Sequence, residues 1–110
     1  MKPPQIDAMR EAADAACALL KTLGNRERLL LLCQMIDGEK SVGELEALLD
    51  IRQPTLSQQL GVLRAEGVVD TRREGKRIYY SVASDEAAAL LNTIYGMFCP
   101  AMPKARRKSG

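Results

Sequence analysis

The chain of 110 residues has no histidine and no tryptophan, one phenylalanine and three tyrosines. Without histidine it lacks the commonest acid–base side chain and the commonest transition-metal ligand. No enzyme activity, metal or cofactor is therefore expected. With aromatics this scarce, the core must be built from Leu, Val, Ile and Ala, which favours helices. No apolar run is long enough to cross a bilayer as a helix. Asp7, Arg10, Glu11 and Asp14 break up the apolar residues of the N-terminus, unlike a secretory signal. The expected compartment is the cytoplasm, where stable disulfides are uncommon, so Cys17, Cys33 and Cys99 are expected to be reduced at rest. Net charge is also small, +2, too weak by itself to imply a nucleic-acid partner. Its distribution says more: Arg72, Arg73, Lys76 and Arg77 cluster, and so do Lys104, Arg106, Arg107 and Lys108. The length suits one domain with one core.

What the chain does contain centres on Gln53 to Glu66. Leu56, Leu60 and Leu63 fall at i, i+4 and i+7, giving one apolar helical stripe. Pro54 suits a first turn and Gly67 a stop. The opposite face carries Pro54, Thr55, Ser57, Gln58, Gly61, Val62 and Ala65, without an acid among them. A solvated helix face normally carries Glu and Lys. A small, uncharged face suits close approach to a surface, and the DNA major groove admits one helix and lets Gln bond bidentately to adenine. An ordinary amphipathic helix with a short polar face fits the same residues, so the flanking segments decide.

Residues 1–5, with two prolines, are expected to form a flexible lead-in. From Ile6 the positions Ile6, Met9, Ala13, Ala16, Leu20 and Leu23 alternate three and four apart, a heptad-like seam that wants a partner helix. Gly24 ends that helix and Asn25 can cap the next, which runs from Arg26 to Ile36 and is nearly apolar all round. Asp37-Gly38 is a turn. Ser41 and Glu44 form a capping box that opens a short helix through Leu45, Leu48 and Leu49. Two helices joined by a tight connection, the second with an acid-free outer face, form a helix-turn-helix. After Gly67, Val68 to Glu74 and Arg77 to Val82 read as strands around a Glu-Gly-Lys hairpin turn. Charged hairpin tips are commonly just solvated; beside a base-reading helix, this one is better read as a wing lying on phosphates. Ser84 can cap a last helix, Asp85 to Phe98, with the stripe Leu90, Leu91, Ile94, Tyr95 and Phe98, closed by Cys99-Pro100. Residues 100–110 form a basic tail expected to be disordered. The fold class is mainly α with a small β-hairpin: a winged helix-turn-helix, ordered helix, helix, helix, helix, strand, strand, helix, over residues 6–99, with the seam's partner either within the chain or, as the resemblance below implies, in the second subunit of a homodimer.

The sequence resembles the ArsR–SmtB family of dimeric bacterial repressors from about Leu19 to Cys99. The residues that carry the resemblance are Leu23-Gly-Asn-Arg-Glu-Arg-Leu29, Ser41-Val-Gly-Glu-Leu45, Gln53-Pro-Thr-Leu-Ser-Gln-Gln-Leu60, Leu63-Arg-Ala-Glu-Gly-Val68 and Arg72-Arg-Glu-Gly-Lys-Arg-Ile-Tyr-Tyr80. It departs from the family at Arg26, Arg52 and Gln59, where Pro, Ser and His are common. Losing the Ser is expected to loosen the start of the reading helix, and losing the His to alter one flank of the reading face. The family's metal sensors place Cys pairs in the third helix or Asp and His in the last; this third helix has no Cys and this last helix no His. The remaining pair, Cys33 within Leu-Leu-Leu-Cys-Gln-Met and Cys99 within Tyr-Gly-Met-Phe-Cys-Pro, resembles the BigR and SqrR branch, which senses persulfides and oxidants.

On the residues alone, Cys33 lies on an apolar stripe and suits a small core hydrophobe. Cys99 ends a helix, where the dipole disfavours a thiolate. Cys17, beside the seam, suits packing. A dithiol, however, can close a bridge and couple two helices. The resemblance therefore implies a transcriptional repressor that binds operator DNA and is released when small sulfur species or oxidants modify Cys33 and Cys99. Its base readers are expected to be Gln53, Thr55, Ser57 and Gln58, and its phosphate contacts Arg72, Arg73, Lys76 and Arg77. The dimer interface is expected from Ile6, Met9, Ala13, Ala16, Leu20, Leu90, Leu91, Ile94 and Tyr95. The operator is expected to be an A·T-biased inverted repeat, because the reading face has no Arg for guanine while Thr55 and Val62 suit the thymine methyl. Three alternatives stay open: a soft-metal or arsenite sensor with Cys17 as third sulfur, a thiol peroxidase, and a winged helix that docks another protein.

Overall fold

Helix-forming stripes and turn residues alternate along the chain, and the computed structural model, which describes residues 3–99 with side chains from Gln5, follows them closely. The order is α1 (Pro3–Leu23), α2 (Arg26–Gln34), β1 (Lys40–Ser41), α3 (Val42–Leu49), α4 (Gln53–Ala65), β2 (Val69–Glu74), β3 (Arg77–Val82) and α5 (Asp85–Phe98). Helix α1 begins at Pro3, so part of the expected lead-in is helical backbone. Proline fits there because a first turn does not need its missing N–H. The tail from Pro100 onward, with its basic cluster, lies outside the described residues.

The starts of α2, α3 and α5 have their expected chemistry, and that of α4 does not. Asn25 Oδ1 accepts from the Arg28 N–H at 3.0 Å. Ser41 Oγ accepts from the Glu44 N–H at 3.1 Å while Glu44 Oε1 accepts from the Ser41 N–H at 2.8 Å, completing the capping box. Ser84 Oγ accepts from the Ala87 N–H at 3.0 Å. Arg52, at the N-cap of α4, supplies no side-chain bond. Helix α2 stops at Gln34, two residues early, and its end tightens as the Met35 N–H donates to Leu32 O at 3.0 Å.

The core gathers Leu23 from α1, Leu31 and Leu32 from α2, Leu45 from α3, Leu56, Leu60 and Leu63 from α4, Val69 from β2, and Ala87 and Leu91 from α5. The stripe read on α4 is thus the face that anchors it. Removing any one of these Leu side chains should cost about 2–5 kcal/mol. Burial also corrects one expectation: Leu91 is fully buried within the protomer and cannot serve as an interface residue. The apolar stripe of α5 is wider than one contact, with Ala87 and Leu91 on the core and Leu90, Ile94 and Tyr95 half-buried at its edge.

The hairpin β2–β3 gains a third strand that the sequence did not announce. Strand β1 pairs antiparallel with β3, Ser41 opposite Tyr79, giving the order β1-β3-β2. Two residues are too short to carry an alternating pattern. The turn at Gly75, with φ 64°, needs the left-handed backbone that glycine supplies without strain.

Candidate nucleic-acid interface and dithiol

Helices α3 and α4 meet across residues 50–52, where Asp50 adopts φ 54° and turns the chain sharply. A short polar side chain tolerates that conformation better than most. With Leu56, Leu60 and Leu63 turned into the core, the other side of α4 must face outward. Gln53, Thr55, Ser57 and Gln58 are all exposed there. The structure joins two of them, since Ser57 Oγ donates to Gln53 Oε1 at 3.1 Å. Gln59 is not at the flank of this face. It is half-buried on the inner side, and its Oε1 accepts from Arg28 Nη1 at 3.0 Å.

The wing carries Arg73, Lys76 and Arg77 exposed at and beside its tip. Between that tip and the start of α3 runs an open groove of about 550 Å³, flanked by Val42 and Gly43 on one side and Lys76 and Arg77 on the other. Arg72 departs from the expected phosphate set. Its Nε donates to Glu39 Oε2 at 3.1 Å, its Nη2 to Glu39 Oε1, and its Nη1 to Glu74 Oε1 at 3.0 Å. Strand register produces this arrangement. Tyr79 stands opposite both Ser41 and Arg72, so its ring lies 4.8 Å beneath the guanidinium and Glu39 arrives just ahead of β1. The bond from Arg72 holds the Glu39 carboxyl below the usual carboxylate range. A phosphate would have to compete with two carboxylates for Arg72, whereas Arg73, Lys76 and Arg77 stand exposed around the tip. Neither Glu39 nor the pairing of Arg28 with Gln59 was legible in the sequence. A loop acid and a helical arginine carry no local signal of their partners.

Cys33 lies in the last turn of α2 and packs against the core. Cys99 follows α5 directly, its N–H donating to Tyr95 O at 3.0 Å. Both are half-buried free thiols, whereas Cys17 is exposed on α1. Burial pushes the Cys33 thiol above its ordinary 9.0, and the neighbouring Cys99 pushes it further the same way. Helices α2 and α5 pack against one another, with Cys33 near the end of one and Cys99 directly after the other. Among the described residues no three Cys, Asp or Glu side chains gather as a metal would require.

The model of the bacterial regulatory protein, arsR family, matches residues 25–71, from α2 into β2. The biofilm growth-associated repressor of Agrobacterium fabrum is 58% identical over 94 residues, which cover 86% of this chain and 80% of that protein. The chain belongs to the arsR family of bacterial regulatory proteins. Solved structures agree on the fold of this arsR-family chain. The transcriptional repressor BigR from Xylella fastidiosa superposes with a TM-score of 0.78 at 50% identity, covering 84% of this chain and 95% of that one. A homodimeric winged helix-turn-helix DNA-binding domain from Mycobacterium bovis, a possible ArsR-family regulator, gives a TM-score of 0.72 at 30% identity, covering 83% and 84%. This arsR-family chain is thus a winged helix-turn-helix DNA-binding regulator. The family match covers the helices that support and present α4, and stops short of α1, α5 and Cys99.

Proposed function

We propose that this regulator is a homodimeric, cytoplasmic repressor whose operator binding is relieved when reactive sulfur species or oxidants modify Cys33 and Cys99. The observation that supports the switch is that α2 and α5 pack together, with Cys33 in the last turn of one and Cys99 directly after the other. Likeness to repressors, one of them BigR, supports the direction of control. Gln53, Thr55, Ser57 and Gln58 read base edges of an A·T-biased inverted repeat, and Arg73, Lys76 and Arg77 bond phosphates. Ile6, Met9, Ala13, Ala16 and Leu20 of α1, with Leu90, Ile94 and Tyr95 of α5, form the dimer contact. Support for the contact comes from Met9 and Leu20, which stand 56% and 54% exposed in the single chain.

The chemistry runs in two displacements. Burial disfavours ionisation of Cys33, so the first attack is assigned to Cys99. Its thiolate takes a sulfane sulfur from a polysulfide, whose S–S bond breaks and which departs one sulfur shorter. The Cys33 sulfur, giving up its proton to solvent, then attacks the Cys99 persulfide and expels hydrosulfide, closing a bridge between α2 and α5. The bridge ties the body that carries α4 to the dimer helices at a new angle. Two reading helices must sit about 34–36 Å apart to enter successive grooves, so a modest rotation loses one half-site.

Cys33→Ser and Cys99→Ser should each bind the operator like the wild type when reduced, yet resist release by polysulfide; Cys17→Ser should still respond. Fluorescence anisotropy of the three variants before and after polysulfide, with intact-mass spectrometry on the same samples, decides this. Release of either the Cys33 or the Cys99 variant at wild-type doses would sink the dithiol mechanism.

A further inference from the structure

Arg28 sits in the first turn of α2, and its side chain spans three helices. Its Nε donates to Thr22 O at 2.6 Å and its Nη2 to Lys21 O at 3.2 Å. Both acceptors belong to the last turn of α1, where carbonyls lack i+4 partners inside the helix; Lys21 O also accepts from the Gly24 N–H at 3.3 Å. A cation there also complements the negative end of the helix dipole. The third arm, Nη1, donates to Gln59 Oε1 of α4 at 3.0 Å. Only arginine offers donors in a rigid planar fork that can reach in three directions at once. On one side of this fork lies the helix with the exposed seam of Met9 and Leu20; on the other lies the helix with the exposed polar face. Packing runs from α1 to α2 and from α2 to α4, and Arg28 ties the two ends of that chain of contacts directly.

We propose that Arg28 is a positioning residue for DNA recognition: through Lys21, Thr22 and Gln59 it fixes the attitude of α4 to α1, and so fixes the half-site spacing that a dimer reads. The proposal rests on the reading above, in which α4 enters the groove and α1 helps form the dimer. Gln59 touches no base in this scheme. It is the acceptor by which the fork holds α4 from behind.

The test is anisotropy binding to an operator series in which the half-site spacing is changed one base pair at a time. The wild type should show one sharp optimum. In Gln59→Met the preference for that spacing over its neighbours should fall about fivefold, the worth of one hydrogen bond, and in Arg28→Met, which loses all three bonds of the fork, at least as far. Thermal melting and the dimer dissociation constant should stay near wild type in Gln59→Met, since its side chain is only partly buried. Gln59→Glu keeps the acceptor; its added charge should weaken binding at every spacing by repelling phosphates while leaving the optimum sharp. A sharp optimum in both Met variants overturns the proposal. Gln58→Ala, changed on the outer face, separates positioning from base reading. If it weakens binding at every spacing, only the positioning role has failed; if it binds like the wild type, the reading of α4 has failed too.

Discussion

Arg72 shows how a side chain grouped by sequence with the wing's cations can be engaged by the protein's own carboxylates. By sequence it belongs with Arg73, Lys76 and Arg77, yet two carboxylates and a tyrosine ring hold it. Replacing Glu39 and Glu74 together by alanine should release it. The freed guanidinium adds one phosphate contact, so the slope of log affinity against log salt should steepen by about one unit. Anisotropy across a salt series measures this, and an unchanged slope would mean that Arg72 reaches no phosphate even when freed. Cys33 supports a second expectation at this scale. Its thiol lies above the ordinary 9.0, so at any lower pH it carries less thiolate than a free cysteine. Its alkylation rate should be slow near neutrality and still climbing past that value. Cys99→Ser removes the smaller of the two causes, so Cys33 should then react faster at a given pH without reaching free-thiol rates. Iodoacetamide kinetics followed by mass spectrometry, at a series of pH values, check both statements; a Cys33 as reactive as free cysteine near neutrality contradicts them.

Among the elements, α4 is the most legible in the sequence. Leu56, Leu60 and Leu63 dictate which side is buried, and the polar face has nowhere else to go. Its start is the weak point. Arg52 sits in an extended N-cap conformation, φ −70° and ψ 151°, with no side-chain oxygen to offer the first turn. Arg52→Ser supplies that oxygen in a backbone already suited to it and should stabilise the fold by about 0.5–2 kcal/mol, read as a rise in thermal or urea midpoint. A lowered midpoint would mean that the arginine contributes packing that a cap does not replace. The α5 stripe has the expected period but a different division. Periodicity marks which residues are apolar, and cannot say that Leu91 meets the protomer core while Leu90 and Ile94 remain at the edge. The strand β1 has no sequence signature at all, because it exists only where the edge of β3 accepts it.

For the whole molecule, the long α1 leaves Met9 and Leu20 exposed, and α5 ends in Met97 and Phe98, 65% and 73% exposed. Apolar side chains this open, on two helices, suit burial against a second copy. Leu20→Glu should therefore shift the chain towards monomer in sedimentation and weaken operator binding, while leaving the melting of the isolated protomer little changed. A stable dimer in that variant would place the contact elsewhere. Local events are written in the amino-acid order: the caps at Asn25, Ser41 and Ser84, the turn at Gly75, the buried stripe of α4 and its acid-free outer face. Each depends on a few neighbouring residues, and those residues suffice to state it. Which distant side chains come together was settled by packing: Arg28 with Gln59, and Arg72 with Glu39. Those pairings come from how packed elements are set against one another in space, and no local pattern encodes the partner at the far end.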